Sequence, residues 1–121
     1  MVIKQIEVEL TDVNLKAIYV SASHTNRHGY TSGYKVTFTT PHGSCREFIS
    51  ETRQTELLGS HFDIVVLYKL LCESAQLGSK TFKEYCEKTG VTDDTFGRAI
   101  YNEDKKLFNK FHKIGITRYK R

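Results

Sequence analysis

The apolar residues of this chain change their spacing part-way along it. In the first fifty residues they alternate: Ile6, Val8 and Leu10 are separated by Glu7 and Glu9, and Tyr34, Val36 and Phe38 by Lys35 and Thr37. A period of two places apolar side chains on one face of a strand. Beyond residue 60 they recur every three or four positions, the period of a helix with one buried stripe. Strands first and helices after predict an α+β fold: a small antiparallel sheet of three to four strands packed on one side by three helices.

Turn residues divide each half. Leu15 to Ala22 is a second strand-like run, and Ser23 to Gly33 reads as a polar loop with two glycines. Pro41-His42-Gly43 separates Tyr34–Thr39 from Cys45–Ile49, which indicates a hairpin. Glu51 to Gly59 is a polar connection with room for one short helical turn. A helix is expected over about 61–76, carrying Phe62, Val65, Val66, Leu70 and Leu71, with Gly78 as its stop. Thr81 and Glu84 form a capping box, in which each side chain satisfies a free N–H of the first turn. That helix ends near Gly90. Thr92 then caps a last helix, with Asp93 and Asp94 in its first turn and a core stripe of Phe96, Ile100, Leu107, Phe111 and Ile114. The organisation is one domain over 1–121: mainly strands in 1–50, three helices in 61–114 and a basic tail in 115–121.

The 121 residues suffice for a core without disulfides. The N-terminus has acidic residues where a signal peptide needs an apolar stretch, and no apolar run reaches membrane-spanning length. Three cysteines, Cys45, Cys72 and Cys86, then read as reduced thiols in a cytoplasm, with Cys72 and Cys86 as buried packing residues. The localisation expected is the cytoplasm of a bacterial host cell.

The 18 basic and 14 acidic residues are unevenly placed. The segment 103–121 holds seven cations against Glu103 and Asp104, a formal +5, whereas residues 1–102 sum to −1. A positive end on a near-neutral body favours an anionic partner. The binding surface expected is Arg98, Lys105, Lys106, Lys110, Lys113, Arg118, Tyr119, Lys120 and Arg121. Tyr119 and Phe108 are candidates to stack on bases between these cations. A helix stabilised by cations near its C-terminus gives the same pattern without any partner.

No catalytic motif is present: there is no nucleophile elbow, P-loop, zinc-protease helix or dinucleotide fingerprint. His24 and His28 have i, i+4 spacing but fall in the predicted loop without a third ligand, so neither a metal nor another cofactor is expected. Cys45 lies near His42 across the hairpin turn, with no orienting group suggested for a thiol nucleophile. The chain is therefore read as a non-enzyme with no small-molecule substrate.

Two binding readings remain. Phe82 to Ile100 has the spacing of a helix-turn-helix: Cys86 in the first helix, Gly90 at the turn, Phe96 and Ile100 as buried positions, and Thr92, Asp93, Thr95 and Arg98 toward a major groove. Asp93 and Asp94 at that helix start oppose a polyanion. The other reading starts from Phe82, Glu84, Tyr85, Cys86, Gly90, Asp94, Ala99 and Tyr101. With the hairpin before them, these residues resemble a recurrent phrase in small uncharacterised phage and prophage proteins. The resemblance covers roughly residues 34–113. It implies a phage-type accessory protein that binds and interferes with a host nucleic-acid-handling or defence machine, in the manner of an anti-CRISPR inhibitor. Its partner would be a host protein or ribonucleoprotein complex, with DNA or RNA reached through the basic helix and tail.

Overall fold

The computed structural model describes residues 4–10, 18–27, 31–59 and 61–117. Four antiparallel strands, β1 (Lys4–Leu10), β2 (Ile18–Arg27), β3 (Thr31–Thr40) and β4 (Gly43–Ser50), lie in chain order across one sheet. Four helices follow: α1 (Glu51–Leu58), α2 (Ile64–Leu77), α3 (Phe82–Thr89) and α4 (Thr95–Lys113). The fold is α+β as expected, with one more helix than expected.

Register shows why one sheet face is covered. Val20 pairs with Phe38 and Ala22 with Val36, while Tyr34 pairs with Ile49. Residues opposite one another point the same way. Ile18, Val20, Ala22, Val36, Phe38 and Ile49 are buried, and with Leu67, Tyr68, Leu71, Phe111 and Ile114 they form the core. Phe38 is its centre, with the Phe111 ring edge-on at 4.9 Å and the Tyr68 ring at 6.0 Å. The core also takes in Ile116, whose N–H donates to the Phe111 carbonyl at 2.9 Å.

Residues 23–27 and 31–33 are strand where a loop was expected. β2 continues to Arg27 and β3 begins at Thr31, with Ser23 to Arg27 paired against Lys35 to Thr31. Polarity misled because an antiparallel sheet can keep one face in water, so alternate residues are hydroxylic without ending the strand. His24 lies within β2, where Glu51 holds its Nε2, Tyr34 meets it edge-on at 5.0 Å, and Tyr34 stacks on Phe62 at 3.9 Å. His28 lies outside the described residues.

The connection after β4 is a full helix. The Ser50 hydroxyl accepts from the Arg53 N–H at 3.2 Å, Glu51 sits in the first turn, and Gly59 ends α1 at φ 76°. In α2 the cap turns Val65 and Val66 away from the face expected of them, while Leu71 is buried as expected. The Asp63 carboxylate accepts from the N–H groups of Val65 and Val66, so Ile64, Leu67, Tyr68, Leu71, Cys72 and Ala75 face inward. Val65 and Val66 face outward. Gly78 does end α2, but in a right-handed conformation; its role is proximity, since a Cβ there would lie 2.4 Å from the Asp104 carbonyl carbon in α4.

α4 begins two residues later than expected. Asp94, not Thr92, is the cap: its carboxylate accepts from the Gly97 N–H at 2.8 Å, and the Thr92 hydroxyl donates to the other carboxylate oxygen at 2.8 Å. The start of the core stripe shifts with it, while Leu107, Phe111 and Ile114 are buried as expected. Phe96 is 72% exposed, Ile100 is half-buried, and the buried positions are Gly97, Tyr101, Asp104, Leu107 and Phe111. Gly97 decides the phase, because a Cβ on it would lie 1.9 Å from the Thr92 carbonyl oxygen. Only the face without a side chain can approach the 91–92 segment that closely.

Candidate binding surface

α3 and the first half of α4 form a small aromatic unit. The Tyr101 ring lies 5.1 Å from Tyr85 and 5.3 Å from Phe82, and its hydroxyl donates to the Lys80 carbonyl. Tyr85 donates to the Asp104 carboxylate at 2.7 Å. Asp104 is almost wholly buried, and burial pushes its carboxyl above the usual range, opposed by the Tyr85 hydrogen bond and by nearby Arg53. Burial, and then Asp104 itself, hold the Tyr85 hydroxyl protonated well above its ordinary value. The pair lies beside a groove of about 430 Å³ between α1 and α4, lined by Arg53, Glu56, Ile100, Glu103 and Asp104.

The cations of α4 lie on its outer side, as its periodicity requires, but they are not equivalent. The Arg98 guanidinium lies 4.4 Å from the centre of the Phe82 ring, and Lys105 Nζ 5.4 Å from that of Tyr101. Both are exposed yet held in place by aromatic faces, an arrangement that costs a cation little hydration. Lys106 is 3.7 Å from Glu103 in a solvated pair. Lys113 is exposed. Lys110 departs from the expected surface: its Nζ is 3.0 Å from Glu47 Oε2 and 3.4 Å from the Arg46 carbonyl, so it is tied to β4. Arg118, Tyr119, Lys120 and Arg121 lie outside the described residues. Phe108 is not placed to stack on a base. It is half-buried against the core, with His112 stacked on it at 5.5 Å.

The helix-turn-helix has its turn: Gly90 is left-handed at φ 77° and its N–H donates to the Cys86 carbonyl. Its expected internal packing is absent, since Phe96 points to solvent and Tyr101 does the holding. The Asp94 carboxyl is kept below the usual range by the Gly97 N–H and then the Thr92 hydroxyl, so a negative charge is fixed at the start of α4.

For chemistry at cysteine the geometry is unfavourable. Cys45 is half-buried, and burial pushes its thiol up to about 11, the reverse of an activated nucleophile. Cys72 is buried as expected, whereas Cys86 is half-exposed because α3 is short and turns Tyr85 inward instead. Among the described residues, no group of three or more His, Cys, Asp or Glu could hold a metal ion, and no helix is long and apolar enough to cross a membrane.

The Tyr85–Asp104 pair and the Lys110–Glu47 tie were missed in the sequence. Asp104 had a signal: an acid at the spacing of Gly97, Tyr101, Leu107 and Phe111 sits in the middle of a buried stripe. Comparison of the chain with family models, curated proteins and solved structures gives no match.

Proposed function

We propose that this chain is a non-catalytic, phage-type accessory protein. In this reading it works in the cytoplasm of a bacterial host, where it binds and interferes with a nucleic-acid-handling or defence machine. The observation that supports it is the outer side of α4. Arg98, Lys105, Lys106 and Lys113 are all exposed there, and Glu103 is the exposed acid of the helix. The buried carboxylate of Asp104 does not oppose them at the surface. Such a stripe raises encounter rates with an anionic surface, and aromatic support for two of its cations reduces what ordering them costs on binding.

The test replaces Arg98, Lys105, Lys106 and Lys113 together with glutamate. Wild-type protein should retain a defined complex from bacterial lysate, stable at 150 mM salt, and the variant should lose it. Equal retention by both proteins would remove α4 from the reading. Nuclease treatment of the same lysate separates a protein partner from a ribonucleoprotein.

A second reading, duplex DNA binding through α3 and α4, is favoured by the left-handed Gly90 turn. It requires a duplex-binding affinity that falls steeply with salt. Failure to shift a mixed-sequence duplex at 50 mM salt would sink it.

A further inference from the structure

Among the described residues, the helices pack on one face of the sheet and none covers the other. On β2, β3 and β4 that open face includes the aligned rows Ser21, Thr37 and Arg46; Ser23, Lys35 and Phe48; Thr25, Gly33 and Ser50. These rows are largely hydroxylic, and the charged residues in them, Lys35 and Arg46, are both cations. Lys35 and Arg46 are exposed and stand on adjacent rows. Phe48 is cross-strand partner to Lys35 and lies half-buried beside it.

Gly33 makes this corner of the sheet a platform. A Cβ on Gly33 would lie 2.4 Å from the Ile49 carbonyl oxygen and 2.8 Å from both Phe48 Cζ and Ser50 Cα, so the β4 backbone and the tip of the ring together fill the place of the missing side chain. Covering a strand glycine with a cross-strand aromatic stabilises the sheet by itself. The surroundings of the ring point further. A cavity of about 390 Å³ opens here, lined by Thr25, Lys35, Arg46, Glu47 and Phe48. The one acid in that lining, Glu47, has its carboxylate taken by Lys110 at 3.0 Å. The acidic positions of β1, Glu7 and Glu9, pair in register with Ser21 and Tyr19, so they lie two strands from β3 and three from β4. An aromatic wall, two cations and a hydroxyl around a cavity of this size match a nucleotide: a base to lie against the ring and phosphates for the cations.

We propose that the open sheet face binds single-stranded nucleic acid, with a nucleotide subsite formed by Phe48, Lys35, Arg46 and Thr25. The site lies on the opposite side of the sheet from α4 and does not depend on the role given to that helix.

The experiment uses the full chain with fluorescein-labelled decamers of uridylate and of thymidylate, a duplex of equal length, and uridine monophosphate. Either decamer should bind at 50 mM salt, more tightly than duplex or monophosphate. Lys35→Gln with Arg46→Gln should weaken decamer binding at least tenfold, and the slope of log affinity against log salt should become shallower by about 1.4. Both side chains are exposed, so the fold should survive, which a circular-dichroism melt checks. Phe48→Trp supplies a direct readout, because the chain has no tryptophan: a bound base should quench the indole at position 48. The proposal is overturned if neither decamer binds, if duplex or monophosphate binds as well as a decamer, or if binding occurs without quenching. It is also overturned if decamer binding survives the sheet variant and is lost in the α4 charge reversal, a result that would leave the α4 reading standing.

Discussion

Gly78 and Asp104 meet backbone to backbone: a Cβ at Gly78 would lie 2.4 Å from the Asp104 carbonyl carbon and 2.7 Å from its oxygen. This is where the end of α2 crosses the middle of α4. Gly78→Ala should therefore cost about 1–3 kcal/mol, the range for forcing an extra carbon into close packing. Gly90 offers the contrast, with φ 77° and nothing within 4 Å of a Cβ. Its demand is conformational, and asparagine tolerates the left-handed region better than alanine does. Urea melts should show Gly90→Asn milder than Gly90→Ala, and no such relief for Gly78→Asn. Equal rescue at both positions would remove the steric account of Gly78.

Two aspartates of α4 should tilt stability in opposite directions with pH. The Asp104 carboxyl is raised by burial, so its contribution is fully present below the unfolded pKa and is lost as pH rises through the folded value. Asp104→Asn should therefore gain on wild type as pH rises from 4 to 7. The Asp94 carboxyl is lowered by the Gly97 N–H, so its contribution is present above the unfolded pKa and lost as pH falls through the folded value. Asp94→Asn should cost most at pH 7 and converge on wild type in acid. Melting temperatures of the two variants across pH 3–7 give both slopes, and slopes of the same sign would contradict the assignment.

Tyr85→Phe removes the donor to Asp104 and leaves a buried carboxylate short of a partner. The loss should be about 1–3 kcal/mol at pH 7. It should be smaller in the Asp104→Asn background, where no charge is stranded. A double-mutant cycle by urea denaturation measures the difference, and a coupling near zero would mean that Arg53 and solvent satisfy Asp104 without Tyr85.

At pH 8, Cys45 should react with iodoacetamide at least about tenfold more slowly than an unperturbed thiol, because a thiol at about 11 is almost entirely protonated there. Peptide mass spectrometry after timed quenching compares it with the same site in 8 M urea. Folded and unfolded rates within a factor of two would show that burial does not protect it.

Lys110 should matter more for solubility than for stability. β4 is an edge strand, and the ammonium lies against its Arg46 carbonyl and the Glu47 carboxylate. A charge poised on an edge strand discourages pairing with another chain. Lys110→Ala should change unfolding free energy by less than about 1 kcal/mol, as for other solvated pairs. Light scattering on heating should nevertheless begin earlier than in Lys106→Ala, and simultaneous onset would show that the edge needs no guard.

Much of this architecture could be read from residue spacing, and the failures share a cause. The hairpin of β3 and β4, the Thr81 cap and the Gly90 turn rest on local chemistry, which a sequence displays directly. The phases at the starts of α2 and α4 do not, although Leu71, Leu107, Phe111 and Ile114 are buried as expected. Val65 and Val66 are as apolar as Leu67, and Phe96 more so than Gly97, yet the inward side was decided by Asp63 and Asp94 as caps and by contacts with distant chain. For the site, the outward α4 cations were legible because helical period alone places them. That Lys110 is tied to Glu47, or that Phe48 covers Gly33, requires knowing which strands and helices become neighbours.

The Thr40 hydroxyl donates to the Ile114 carbonyl at 2.7 Å, joining the end of β3 to the end of α4. As the chain leaves a ribosome, the sheet can pair early, but its apolar face has to wait several seconds for α4 and Ile116 to be made. During that interval Val20, Phe38 and Ile49 lack their final cover. Nascent protein is then most open to chaperones, and most vulnerable to mutations that weaken the strands alone.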